Sequence, residues 1–417
     1  MMSGQVVKAK YIIETSHPLE KAALIMAGEQ SCGTFVRVPG ETDELRELYS
    51  AKIESIEELE EVPAPSLLGA KSAGKNAPIK RALVDLSWPL HNIGANLPNL
   101  MATVAGNLFE LSPFSGLKLL DVEIPEAFSE KYPGPQFGIS GTRKLTSVYN
   151  RPVIGTIIKP SIGLTPEATA VQTNTLIEAG LDFLKDDELI GDPPYAPFEQ
   201  RVKNVMEVIN RHADKTGKKA MFAFNISGDM DDMLKRHDYV VQQGGTCIML
   251  SLNHVGLSGV AKMRQHSQLP IHGHRNFWGA LSRSEVLGLE FTAYQKIWRM
   301  AGVDHIHTNG IRNKFCEADD SVIASIKACL TPMLGGYEVM PVLSSGQWAG
   351  QAVDTYNAIK SVDVMYVCGG GIVAHPAGIA AGVKSVIQGW EAAIKGKSLE
   401  EYAQNHNELK QALKFYG

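Results

Sequence analysis

Gly180-Leu-Asp-Phe-Leu-Lys-Asp-Asp-Glu-Leu189 is an apolar, strand-like segment that ends in one amine and three carboxylates. Side chains alternate along a strand, so Lys185 and Asp187 share a face, and Glu188 joins them only where the strand ends or twists. Charge buried in such a segment needs a partner or a metal. Clustered oxygen ligands suit a hard cation. The alternative is a plain ion pair between Lys185 and Asp187 at a strand end.

Outward from this run, the sequence from about residue 150 repeats a short β-rich stretch, a polar loop and a helical stretch. The expected strands are Val153–Lys159, Phe183–Glu188, Ala220–Ile226, Cys247–Leu252, Pro270–His274, His305–Thr308, Met340–Ser344 and Met365–Gly369. Amphipathic stretches lie between them, such as Glu199–Ala213, Asp229–Gln243, Ser321–Leu330 and Ala377–Ile394. Eight such strands predict an α/β fold whose C-terminal part, 146–417, is a closed (β/α)8 TIM barrel. Residues 1–145 mix strand-like pieces (Val6–Glu14, Gly33–Val38, Leu117–Ile124) with helical ones (Pro18–Gln30, Asn96–Gly106), which predicts a separate α+β, ferredoxin-like domain. The Pro-, Ala-, Gly- and Ser-rich stretch Glu61–Asn76 reads as a connection within it.

The 417 residues carry a formal charge of -5, so no general field draws nucleic acid or an anionic membrane. Five scattered cysteines without a C-x-x-C pair point to reduced thiols in a cytoplasmic protein rather than to structural zinc. No signal peptide or membrane span is legible.

In a barrel of this kind chemistry gathers at the carboxyl ends of the strands. Nearly every expected strand ends in a reactive group: Lys159-Pro-Ser161, then Lys185, Asp187 and Glu188, then Asn225, then Asn253-His254. His272, His274 and Arg275 follow, then His305 and His307 with Lys314 in the next loop, Ser344-Ser-Gly346, and Gly369-Gly-Gly371. Such convergence predicts one shared active site. Taken singly, Lys159 could be a solvated strand-end lysine or a proton donor. Either of His305 and His307 could be a hydrogen-bonded core residue, and His274-Arg275 could be a phosphate clamp or a surface pair. The glycine run, ahead of a helix near His375-Pro376, fits a phosphate cradle. Trp278, Trp298 and Trp390 read as packing residues.

These residues resemble a known family. Gly155-Thr-Ile-Ile-Lys-Pro160, Asp182-Phe-Leu-Lys-Asp-Asp-Glu188, His272-Gly-His-Arg275, Asp304-His-Ile-His307 with Lys314, and Cys368-Gly-Gly-Gly371 with His375-Pro376 are similar to ribulose bisphosphate carboxylase large chains. Glu29-Gln-Ser-Cys-Gly-Thr34 and Gly106-Asn107 resemble the family's N-terminal substrate-contacting segments. The resemblance implies that Lys185 is carbamylated by CO2, and that the carbamate, Asp187 and Glu188 hold Mg2+. It also implies a homodimer, or a higher oligomer of dimers, in which Glu29, Thr34 and Asn107 of one subunit complete the partner's barrel site. Lys159, Lys185, His274, His307 and Lys314 would be catalytic. Arg275, Ser344, Gly346, Gly369 and Gly370 would bind a phosphorylated substrate.

Several positions depart from the carboxylases. Ser161 stands where they have a second lysine, Ile157 where they have threonine, Phe35 where they have tryptophan and Ser345 where they have glycine. The lysine loop reads Asn309-Gly-Ile-Arg-Asn-Lys-Phe315. These changes argue against net CO2 fixation and toward the Rubisco-like proteins (form IV), in the non-photosynthetic branch that keeps the metal site. The retained groups suit an enediolate held on Mg2+. Keeping Lys314 favours carboxyl chemistry. The resemblance therefore implies a Mg2+-dependent decarboxylase of a phosphorylated 3-oxo sugar acid, of the 3-oxo-isoapionate 4-phosphate type. The alternative is an enolase or isomerase of a methylthio sugar phosphate (5-methylthioribulose 1-phosphate type), with an apolar pocket near Phe35, Phe277 and Trp278. A true carboxylase and a non-catalytic scaffold fit less well.

Overall fold

The computed structural model describes residues 5–33 and 38–417. Its strands, in chain order, are β1 Val6–Thr15, β2 Lys52–Val62, β3 Ile79–Pro89, β4 Phe114–Glu123, β5 Val153–Ile157, β6 Phe183–Lys185, β7 Met221–Asn225, β8 Cys247–Ser251, β9 Ile271–His274, β10 Leu287–Leu289, β11 His305–Asn309, β12 Met340–Ser344 and β13 Met365–Val367. The chain divides into two compact units, Met1–Pro133 with Phe277–Met300, and Gly134–Asn276 with Ala301–Gly417. This division differs from the expected break after residue 145 in two respects. The helix Gly138–Thr146 belongs to the second unit, and Phe277–Met300, which includes β10, belongs to the first.

The first unit is built on a five-stranded sheet ordered β10-β4-β1-β3-β2. β1 runs antiparallel to β3 and β4, and its alternate residues Val7, Ala9, Tyr11 and Ile13 are buried. The helix Leu19–Glu29 buries Ala22, Ala23 and Met26. β2 and β3 are absent from the expected strands. β2, Lys-Ile-Glu-Ser-Ile-Glu-Glu-Leu-Glu-Glu-Val, buries no residue and shows no period of two, because it is a charged edge strand with little apolar face to reveal it. The expected strand Gly33–Val38 falls mostly outside the described residues. Trp278 is buried against Phe291 and Tyr294, and Trp298 is buried beside Tyr294, so both are packing residues of this unit.

The second unit is the barrel. Eight parallel strands close in the order β11-β12-β13-β5-β6-β7-β8-β9. All eight expected strands are present, with ends shifted by a few residues. Val153, Phe183, Met221, Met249, Met340, Val342 and Met365 fill its core. Gly155 faces Phe183 in register, and a Cβ there would come within 2.7 Å of the Phe183 ring, so glycine lets β5 and β6 approach. Buried Asp304 is a hub below the strands. Its carboxylate accepts from the backbone N–H groups of Phe137, Gly138 and Ile271 and pairs with Arg264 at 2.9 Å, fixing the helix Gly138–Thr146 in this unit. All five cysteines are free thiols. No helix of the described residues is long and apolar enough to cross a membrane.

Glu14 is a fully buried carboxylate of the first unit. Glu14 accepts from Ser66 N–H and Oγ, both at 2.7 Å, from Ser115 Oγ at 2.8 Å and from Arg81 Nε at 3.0 Å. Burial alone would raise its pKa, but the bonds from Ser66, Ser115 and Arg81 outweigh burial and hold it below the usual value. A depressed folded-state pKa adds stability above the unfolded pKa and loses it as pH falls through the folded value. Glu14→Gln is therefore expected to cost about 1.5–3 kcal/mol at neutral pH. In urea denaturation followed across pH, the gap between variant and wild type should shrink in acid; a gap that widens there would contradict the assignment.

Candidate active site at the carboxyl ends of the barrel strands

β6 ends at Lys185, which frees the next residues from the pleat. Asp186 turns outward. Its carboxylate accepts from the Asn225 backbone N–H at 3.0 Å and pairs with Arg201 at 3.3 Å, both partners of the pair being about 1% exposed. Arg201, from the helix Phe198–Thr216, also donates to Ala196 O and Gly191 O. Asp186 and Arg201 were not among the expected site residues. Strand alternation gave the one available signal, since it sends Asp186 to the face opposite Lys185 and Asp187.

On the inner face, the Lys185 amine is fully buried and donates to Asp186 O at 2.7 Å and to Glu188 Oε2 at 3.4 Å. Burial pushes its pKa below the ordinary lysine value, against the pull of Glu188 and Asp187. The simple strand-end pair of Lys185 with Asp187 is not the one formed. Asp187 Oδ2 instead accepts from Lys159 Nζ at 2.7 Å, and Lys159 also donates to Ser161 Oγ at 2.6 Å. Lys159 is thus a paired amine at the mouth rather than a free surface lysine. Glu188 Oε2 lies 3.3 Å from His274 Nε2. His274 Nδ1 accepts from the Asn276 N–H, which leaves the ring proton on Nε2, pointing at Glu188. Burial, together with Lys185, pushes His274 down to about 4. Burial would raise Glu188, but His274, Lys185 and local hydrogen bonds hold it at about 2. Near neutral pH the pair is a carboxylate and a neutral imidazole.

Around this cluster, buried His307 lies with its ring centroid 4.5 Å from that of His274, and its Nδ1 is 3.2 Å from Ser344 Oγ. Buried Arg275 pairs with Glu317 at 3.2 Å, so His274-Arg275 is not a surface pair. Gly346 takes φ +90°, and a Cβ there would come within 3.6 Å of Lys314 Cβ. A Cβ on Gly369 would come within 3.9 Å of Lys159 Cε, and a short helix starts at Gly370, ahead of the longer Ile379–Ile394. Lys314 itself is exposed. Its backbone N–H donates to Ser345 O, and its ammonium lies 5.3 Å from the Phe315 ring centroid rather than in the cluster. Glu29 and Asn107 lie in the first unit, where Asn107 Nδ2 donates to Glu29 Oε1 at 3.5 Å. Thr34 and Phe35 fall outside the described residues.

A second group with metal-ligand composition, His237, Asp238 and His266, lies on the barrel's outer helices Met230–Gln242 and Leu252–His266. His237 Nε2 accepts from the Gln268 N–H, so its ring proton sits on Nδ1 and faces Asp238 at 2.9 Å. That is hydrogen-bond geometry, away from the strand ends.

A closed parallel barrel with titratable groups at its strand ends defines a TIM-barrel protein with a site in the usual place for catalysis. The model of the ribulose bisphosphate carboxylase large chain catalytic domain matches residues 138–416, and that of the N-terminal domain matches 5–128. This chain belongs to the ribulose bisphosphate carboxylase large-chain family. A Xanthobacter autotrophicus protein named 3-oxo-isoapionate-4-phosphate transcarboxylase/hydrolase is 50% identical over 412 residues, covering 98% of this chain and 99% of its own. A Rhizobium etli 3-oxo-isoapionate-4-phosphate decarboxylase is 44% identical over 407 residues, covering 97% of each chain. Among solved structures, a rubisco-like protein from Burkholderia fungorum aligns with TM-score 0.92 at 42% identity, covering 98% of this chain and 99% of that one. The dimeric archaeal Rubisco from Hyperthermus butylicus aligns with TM-score 0.85 at 28% identity, covering 99% and 96%.

The Asp186–Arg201 pair yields a stability prediction. Arg201→Met strands a buried carboxylate and should cost about 3–5 kcal/mol, whereas adding Asp186→Leu should recover much of it. Thermal and denaturant unfolding of the two variants tests this; a single variant as stable as wild type would show that the pair is not a support of β6.

Proposed function

We propose that this chain is a Mg2+-dependent carboxy-lyase that acts on a phosphorylated 3-oxo sugar acid of the 3-oxo-isoapionate 4-phosphate type. The observation that carries this reading is the inner-face cluster of Lys185, Asp187 and Glu188 with Lys159 and His274 beside it, taken with relatives named for that substrate.

The donor set fits the cation. Burial lowers the Lys185 pKa, which favours the neutral amine that attacks CO2, and its carbamate would join two carboxylates in an all-oxygen, anionic set suited to Mg2+. Lys185, Asp187 and Glu188 would hold the ion, which when bound would supply a Lewis acid for negative charge on substrate oxygens.

The chain's own groups supply the rest. The bond between the carboxylate carbon and the carbon beside the ketone breaks, CO2 leaves, and the electron pair moves toward the ketone oxygen. Lys159 Nζ then delivers a proton to that carbon. Ser161 and Asp187 hold this ammonium in place, and solvent restores its proton. His274 keeps Glu188 oriented through Nε2–H. Backbone amides of Gly346, Gly369 and Gly370, with Arg275, receive the phosphate. Lys314, in its exposed loop, holds the substrate carboxylate. Glu29, Thr34 and Asn107 act on the partner's site in a homodimer, a reading supported by the dimeric family structure.

A second reading draws on the 50% identical transcarboxylase/hydrolase. In that reading the same bond breaks, the carboxyl carbon forms a new bond to the neighbouring carbon of the same enediolate, and water then cleaves the bond between those two carbons to leave two carboxylates. Of the aromatics expected around the isomerase pocket, Trp278 is packed against Phe291 and Tyr294, Phe277 is exposed, and Phe35 falls outside the described residues.

Two outcomes test the proposal. Substrate labelled with 13C at the carboxylate, incubated with protein, Mg2+ and bicarbonate, should release labelled CO2. Label retained in a hydrolysed product would favour the transfer reading, and turnover only of 5-methylthioribulose 1-phosphate would replace both. Lys185→Met should reduce kcat at least about 100-fold with the fold intact by circular dichroism; full activity would refute the carbamate.

A further inference from the structure

His272 and His305 are fully buried and have no role in the chemistry above, yet they join the helix Gly138–Thr146 to the barrel mouth. Thr142 Oγ1 lies 2.7 Å from His305 Nε2, His305 Nδ1 lies 3.4 Å from His272 Nδ1, His272 Nε2 lies 2.8 Å from His307 Nε2, and His307 Nδ1 lies 3.2 Å from Ser344 Oγ. Every imidazole nitrogen of the three histidines is used, and every link is internal to the barrel unit.

A neutral imidazole has one N–H and one bare nitrogen, so each link dictates the next. Burial keeps the three rings neutral: it pushes His305 down to about 3 and His272 and His307 well below the ordinary histidine value. Only two proton orders then exist, and they are mirror images of one another. The Thr142 hydroxyl chooses between them. It donates to Gly138 O one helical turn back, so toward His305 it can only accept. His305 therefore carries its proton on Nε2, His272 on Nδ1 and His307 on Nε2, and the bare His307 Nδ1 receives the Ser344 hydroxyl hydrogen. Ser344 Oγ also lies within donating reach of Thr308 O at 3.3 Å, a far longer contact than the 2.5 Å from Thr142 Oγ1 to Gly138 O, so the Thr142 end is the stronger selector. In the reverse order the Ser344 hydrogen would go to Thr308 O or to a ligand.

We propose that Thr142 and the three-histidine chain are positioning residues that fix the polarity of Ser344, so that its hydroxyl meets the substrate as a hydrogen-bond acceptor for a sugar hydroxyl. The substrate contact rests on the function proposed above; the proton order does not.

The test reads the proton order without substrate. In 15N-histidine-labelled full-length protein near neutral pH, NMR should find His305 and His307 as Nε2–H tautomers and His272 as Nδ1–H, with resonances assigned through single His→Gln variants. His307 as the Nδ1–H tautomer would overturn the proposal. Thr142→Val removes the selecting hydroxyl and should give mixed or inverted tautomers, while Thr142→Ser should restore the wild-type pattern. With turnover established, Thr142→Val should raise KM about 2- to 12-fold, the scale of one neutral hydrogen bond, with a smaller change in kcat. Unchanged tautomers in folded Thr142→Val would also overturn the proposal, and if that variant does not fold, the wild-type tautomers alone decide. Lack of activity on 3-oxo acids with the expected tautomers would count against the function reading only.

Discussion

Buried charge at the end of one short strand is the constraint to which much of the barrel answers. Lys185, Asp186 and Asp187 are consecutive and almost wholly buried, and Glu188 follows with its side chain about one-third exposed. None can stand unpaired at that depth without a cost of several kcal/mol. Alternation splits them between two faces, so two separate neutralising sets are required. Outside the barrel, Asp186 takes Arg201 and a backbone N–H of the next strand, which ties the helix Phe198–Thr216 to β6 and β7. Inside, Asp187 takes Lys159 from the end of β5, while Glu188 lies between Lys185 and His274 from β9. One strand end therefore sets the relation of its neighbours on both sides.

The interior below that mouth solves the opposite problem. It is closed by strands and floored by a helix, and the polar side chains that run from that helix to the mouth are imidazoles that satisfy one another. Phe183, two residues before Lys185, stacks on His272 with ring centroids 5.1 Å apart and leaves that ring little freedom to turn. Charge ends where the strands end, and a hydrogen-bonded order continues beneath it. The two layers meet where the His274 and His307 rings lie side by side.

The barrel was largely legible because its strands are short apolar runs at regular spacing, each followed by an amphipathic helix. The polar strand ends were legible because barrel geometry says where they must converge. What stayed hidden had a different cause in each case. β2 hides as a charged edge strand with no buried side chain. Arg201 sits in a helix sequence, fifteen residues after its partner, where it looks like any surface cation until the fold buries it. Choosing Lys159 rather than Lys185 as the partner of Asp187 needed the inter-strand geometry of β5 and β6, which no local pattern carries. Thr142 had no signal at all, because its role depends on a histidine 163 residues away.

The departures from the carboxylases also become connected once they are placed. Ser345, where those enzymes have glycine, keeps a positive φ of 73°, a conformation that costs a side-chain-bearing residue of order 1–3 kcal/mol. Its hydroxyl donates to Asn309 Oδ1 at 2.7 Å, offsetting part of that cost. Asn309 is the first residue of the altered lysine loop, and its amide donates to Glu317 at 2.6 Å, closing the loop across its base. Glu317 in turn pairs with Arg275, and Ser345 O receives the Lys314 N–H. A serine in place of glycine and a rewritten loop are thus one hydrogen-bonded unit, in which the residue that accepts the backbone strain also anchors the loop that carries Lys314. Restoring the glycine alone would relieve the strain but remove the anchor, so the two changes depend physically on each other.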